Sequence, residues 1–171
     1  MGEGALESPL PCRKQPWVRE HRGVTATVSP IEQLSEALRA ELGAKAVTEL
    51  ARLSGGASRE TWSFRADDRP LILQRQRKGD IRDMGVEARV VQAAFNAGVP
   101  VPELIANGSG DIGPAFMILS HIEGETIARK ILRDEQFAEA RSGLVAQSAR
   151  ALAALHSVDA TTITGLPSID Q

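Results

Sequence analysis

Cysteine is nearly absent from this sequence: Cys12 is the single one among 171 residues. One thiol excludes an internal disulfide framework and fits a reducing compartment. Net charge is nearly absent too. The 20 basic and 22 acidic side chains leave a formal charge of −2, so no global field draws nucleic acid or an anionic membrane. No apolar run is long enough to span a bilayer. The opening MGEGALESPLPCRKQ lacks the basic-then-apolar order of a secretory leader, and no internal repeat is found. Together these absences predict a cytoplasmic protein with neither a nucleic-acid nor a membrane partner.

The length suits about one domain. Residues 1–28 mix Gly, Pro and scattered charges without periodicity and are expected to form a mobile arm. Order is expected from Ser29. Ser29 is placed as an N-cap, Pro30 as the first helical residue and Glu32 as the partner in a capping box. Ile31, Leu34, Leu38 and Leu42 form an apolar stripe at helical spacing, closed by Gly43. This helix is expected to pack on a sheet edge.

Three strand-like runs follow: AVTELARL, ETWSFRA with Trp62 and Phe64 on one face, and LILQRQR. DDRP supplies the turn between the last two. A helix is predicted from Arg82 to Ala97, with Val86, Val90, Val91 and Phe95 along one side, Glu87 beside them and Gly98 beyond. The alternating prolines of VPVPELIANGSGDIG forbid helix and predict an extended segment. PAFMILSHIEG reads as a buried strand, with Phe116 and Ile118 in the core. IARKILRD and the run from Glu135 to Asp159 are helical, the latter with Leu144, Ala151, Leu152 and Leu155 on its apolar face. The order predicts an α+β fold: an antiparallel sheet of about five strands with flanking helices.

The stretch LARLSGGASRETWSF sets a Gly-Gly-Ala-Ser turn between two strands. Glycine permits positive φ and lets a ligand approach the main chain. A phosphate is one ligand that uses rows of free backbone N–H groups. A hairpin that merely needs glycine for its turn explains the same residues, and the turn alone leaves both readings open.

Four segments in order, LSGGASRETWSF, LILQRQR, EARVVQAAFNAGVPVP and FMILSHIEGET, resemble successive signatures of the aminoglycoside phosphotransferase family, which has a kinase-like fold. The branch fused to acyl-CoA dehydrogenases is especially similar. The resemblance runs from about Ser29 to about Asp159 and implies an N-terminal kinase-like lobe over 29–123. A hinge and the first helices of a C-terminal lobe would follow over 124–171. It implies that Gly55, Gly56, Ala57 and Ser58 arch over the phosphates of ATP. It implies a β-strand cation held by Glu87 on the next helix. Counted from LIL, the cation's position is Gln74, with Arg75 next. Alternation turns Arg75 to the opposite face, so a bulge or register shift would be needed to bring it inward. Some branches carry Gln-Arg here, and Arg75 is taken as the candidate. The Ser120 carbonyl and the Ile122 N–H are placed to pair with the adenine edge, and His121 reads as a solvated hinge residue.

The family's His-Gly-Asp catalytic loop and metal-binding Asp do not occur in this sequence. His156 and Asp159 read as packing and capping residues. The expectation is therefore the nucleotide-binding part of an ATP-dependent small-molecule kinase, inactive by itself. Mg²⁺ and a small-molecule hydroxyl substrate would belong to the complete protein. Leu152 and Leu155 would be left wet, a surface for self-association. The alternative is a kinase-derived, non-catalytic interaction or regulatory module.

Overall fold

A computed structural model of the chain describes residues 29–53, 59–77 and 79–167. The arm expected over 1–28 and the Gly55–Ser58 turn lie outside these residues.

Helix α1 (Pro30–Leu42) starts as its sequence dictates. The Ser29 hydroxyl accepts from the Glu32 N–H, and the Glu32 carboxylate accepts from the Ser29 N–H, closing the capping box. Gly43 ends the helix at φ 60°, a left-handed position that suits glycine. Three antiparallel strands follow: β1 (Val47–Arg52), β2 (Arg59–Ala66) and β3 (Arg69–Gln76). Helix α2 (Met84–Asn96) comes next, begun by the Asp83 carboxylate accepting from the Gly85 and Val86 N–H groups. Strands β4 (Leu104–Gly110) and β5 (Gly113–Ser120) complete a five-stranded antiparallel sheet in the order β1-β2-β3-β5-β4. Helix α3 (Ala128–Arg133), a 3₁₀ turn and helix α4 (Ala138–His156) follow.

The sheet separates two apolar layers. On one face Leu34 and Leu38 of α1 pack with Trp62, Phe64, Leu71, Leu73, Phe116 and Ile118. On the other, Met84 of α2 packs with Met117 and Leu119, joined by Ile72 and Val91. Helix α1 therefore covers the face opposite α2 rather than only an edge, because the odd-numbered apolar residues of β3 need a cover of their own. Two details of the helix readings change. Ile31 and Phe95 are exposed. The buried residues of α2 are Met84, Ala88 and Ala94, and Met84 and Val91 are those that join the sheet layer, while Phe95 sits outside.

The β2–β3 hairpin fixes the register for everything that follows. Asp67 and Asp68 both have positive φ, 46° and 68°, as a two-residue primed turn requires. The Asp67 carboxylate also accepts from the Lys45 and Ala46 N–H groups at 3.0 Å. These backbone bonds, Lys45 first, hold its carboxyl below the usual range. A depressed folded-state pKa gives stability above the unfolded value of about 4 and loses it as pH falls through the folded value. Asp67→Asn keeps a residue that tolerates left-handed backbone. Its denaturation midpoint is expected to lie below that of the parent by a constant amount between pH 7 and 5. The gap should narrow below about pH 4; a gap independent of pH down to 2 would refute the assignment.

Candidate functional site

The β2–β3 ladder runs without a bulge from Arg59 opposite Gln76 to Ala66 opposite Arg69. Strict alternation therefore holds. Leu71, Leu73 and Arg75 turn to the α1 face; Ile72, Gln74 and Gln76 turn to the α2 face. Gln76 uses its amide to bind the Asp80 and Arg82 carbonyls at 2.7 and 2.8 Å, tying the loop before α2 to the sheet.

That loop and the Asp83 cap aim the first turn of α2 so that Glu87 reaches the sheet. Its partner is Arg59, whose Nη2 donates to both carboxylate oxygens. Arg59 Nη1 donates to the Gln74 amide oxygen at 3.3 Å. The side chains of Arg59 and Glu87 are 23% and 32% exposed, so the pair is half-buried at the mouth of the sheet. Arg59 Nε is buried and has no partner among the described residues. Glu87 thus lies against the Gln74 strand, as the sequence led us to expect. The cation it meets comes from β2.

Arg75 requires a correction. With no bulge to turn it, it stays on the α1 face. There its Nε donates to Glu60 at 2.8 Å, its Nη1 donates to the Ile112 carbonyl at 3.0 Å, and its guanidinium stacks 5.6 Å from the Trp62 ring centre. Partial burial pushes the Glu60 carboxyl up, but the Arg75 hydrogen bond and the Arg75 and Arg52 charges outweigh it and hold the group below its usual range. Arg75, Glu60, Arg52 and Arg77 line a separate open cavity of about 460 Å³.

Gly55, Gly56, Ala57 and Ser58 lie outside the described residues. Arg59 follows them directly in the chain, which puts the Arg59–Glu87 pair at the root of the glycine turn. Ser120 closes β5 opposite Leu71. Its N–H donates to the Glu103 carbonyl at 2.9 Å, and its hydroxyl accepts from the Glu103 N–H at 3.0 Å. His121 and Ile122 are exposed just beyond, the His121 N–H donating to the Pro70 carbonyl. Gln74 lies three residues along β3 from Leu71, a rise of about 10 Å. The Arg59–Gln74 contact and the end of β5 are therefore separated by about that distance along the sheet. Asp159 caps the short 3₁₀ turn Ala160–Thr162 through the Thr161 N–H, whereas His156 is exposed and packs in no core. Among the described residues no three metal-ligating side chains cluster, and no helix is long and apolar enough to cross a membrane.

Arg59 is the residue that sequence reasoning missed. A signal was present. A two-residue turn at Asp67–Asp68 makes paired positions sum to a constant, which sets Thr61 opposite Gln74 and Arg59 on the same face.

A five-stranded antiparallel sheet with α2 over one face and α1 over the other defines the N-terminal lobe of a kinase-like phosphotransferase fold. The profile of the phosphotransferase enzyme family (APH) matches residues 49–169, and the chain belongs to that family. Among solved structures, the aminoglycoside phosphotransferase APH(4)-Ia aligns with a TM-score of 0.53 and 22% identity over 74% of this chain. A candidate aminoglycoside phosphotransferase from Ralstonia eutropha aligns with a TM-score of 0.57 and 23% identity over 81%. A thermostable mutant of APH(4)-Ia has been solved as a ternary complex with AMP-PNP and hygromycin B. Acyl-CoA dehydrogenase family member 10 of Mus musculus is 30% identical over 103 residues, 56% of this chain. The chain spans 40% of the APH(4)-Ia structure, 42% of the Ralstonia eutropha one and 10% of the mouse protein.

Proposed function

We propose that this chain is the nucleotide-binding part of an ATP-dependent small-molecule phosphotransferase, which moves the γ-phosphate to a substrate hydroxyl in the complete protein. The observation that carries this reading is the carboxylate of Glu87 holding an arginine against the sheet at the root of the Gly55–Ser58 turn. A helix-borne glutamate anchoring a strand cation is how kinase-like folds fix the nucleotide phosphates. The AMP-PNP found with the related fold supports the same ligand class.

In this reading the Gly55–Ser58 main chain covers the phosphates, and the Ser120 carbonyl and Ile122 N–H take the adenine edge. Mg²⁺ bridges the phosphates in the complete protein. Transfer needs a carboxylate that orients the acceptor hydroxyl and ligands for the metal, and this chain is not expected to turn over alone. The hydroxyl substrate follows from the acceptor pocket of the complete protein.

The test is an NMR titration of the chain with ATP. Amide shifts are expected at Gly55–Ser58, Arg59, Gln74, Glu87 and Ser120–Ile122. The dissociation constant should be near millimolar, about −4 kcal/mol. Gly56→Val should weaken binding by restricting φ and blocking the close approach. Shifts confined to other residues, or none at all, would overturn the reading.

A further inference from the structure

Resting on the nucleotide-site reading above, we propose that Arg59 of β2 is the cation that holds the nucleotide α- and β-phosphates. Glu87 anchors it, and β3 contributes only the neutral Gln74. Three independent features converge on Arg59. It alone among the described arginines meets Glu87, through both carboxylate oxygens. Gln74 faces the same side and accepts from Nη1, so the guanidinium is fixed by two residues. It also directly follows Gly55–Ser58 in the sequence.

The competing cation is already committed. Arg75 donates to Glu60 and to the Ile112 carbonyl and stacks on Trp62, all on the opposite face. Reaching the α2 side would require breaking these contacts and the register. A neutral residue at position 74 also has a physical reason. A second cation there would repel Arg59. Arginine on β2 with glutamine on β3 is therefore a consistent exchange of places.

The assignment predicts a dependence on phosphate. The full 171-residue chain is titrated with adenosine, ADP and ATP, with circular dichroism checking that each variant is folded. The parent should bind ADP and ATP at least tenfold tighter than adenosine. Arg59→Gln should bring that ratio close to one without changing adenosine affinity, and Arg59→Lys should give an intermediate ratio. Arg75→Gln should leave the ratio unchanged. The double variant Arg59→Gln/Gln74→Arg, which returns a cation to the β3 position beside Glu87, should recover most of the ratio. If Arg59→Gln does not fold, Arg59→Lys and the double variant give the reading in its place. An unchanged ratio in Arg59→Gln, or an intact one in Arg59→Lys where Arg59→Gln is unfolded, overturns this assignment while the nucleotide site stands. So does a ratio lost in Arg75→Gln. A parent chain that binds none of the three ligands overturns the nucleotide-site reading and this assignment with it.

Discussion

Leu73→Ala is expected to lower the unfolding free energy by about 2–5 kcal/mol. Leu73 is fully buried in the central strand, opposite Trp62 on β2 and Ile118 on β5, and it belongs to the layer closed by Leu34 and Leu38 of α1. Truncation removes buried methyl groups and leaves a cavity whose walls belong to three strands and a helix. Strands fixed by ladders on both sides cannot collapse into that space. Urea denaturation of parent and variant measures the loss. A change below about 1 kcal/mol, the level of a well-accommodated substitution, would show that the two-layer packing is wrong. Val145→Ala, on an 81% exposed residue of α4, is the matched control and should change stability by less than about 0.5 kcal/mol.

The second large effect is expected at Glu87. Glu87→Ala removes both carboxylate acceptors from Arg59 and leaves a cation that is less than a quarter exposed without its ion-pair partner. Breaking a fully buried pair this way costs about 3–5 kcal/mol. The partial exposure of both side chains lets water replace some of the lost interaction, so a cost of about 1–2 kcal/mol is expected. ATP affinity should fall about tenfold, or 1.4 kcal/mol. An unanchored arginine must give up its rotamer freedom on binding the phosphates. Glu87→Gln keeps the shape and one acceptor and should fall between parent and alanine variant in both measurements. Equal stability of parent and Glu87→Ala, with unchanged ATP affinity, would remove the ion pair from both the fold and the site.

The helices after the hinge raise a separate matter of packing. No residue of α4 is buried, and Leu144, Leu152 and Leu155 are all exposed. Helix α2 gains a contact from this region instead: Arg89 Nε donates to the Thr164 carbonyl at 2.8 Å, and Ile163 is buried. The segment after α4 thereby returns to the helix that carries Glu87.

Local chemistry in the sequence by itself determined much of this protein. Ser29 and Glu32 specify the start of α1 and Gly43 its end, because capping and left-handed backbone are properties of a few adjacent residues. Trp62 and Phe64 share a face, and Phe116 and Ile118 are core, because strand alternation is a local rule. The ordered motifs identified the family. The tertiary structure decided which arginine Glu87 meets. Reading β3 alone leaves Gln74 and Arg75 in competition. The unbulged register with β2 fixes their faces, sends Arg75 to Trp62 and Glu60, and brings Arg59 across from another strand. Tertiary packing likewise placed α1 opposite α2 and chose Met84 and Val91 over Phe95 for the sheet. The physical reason is the same in each case. A residue's own periodicity states that it has a face, whereas the side of the sheet that face meets depends on partners distant in the chain.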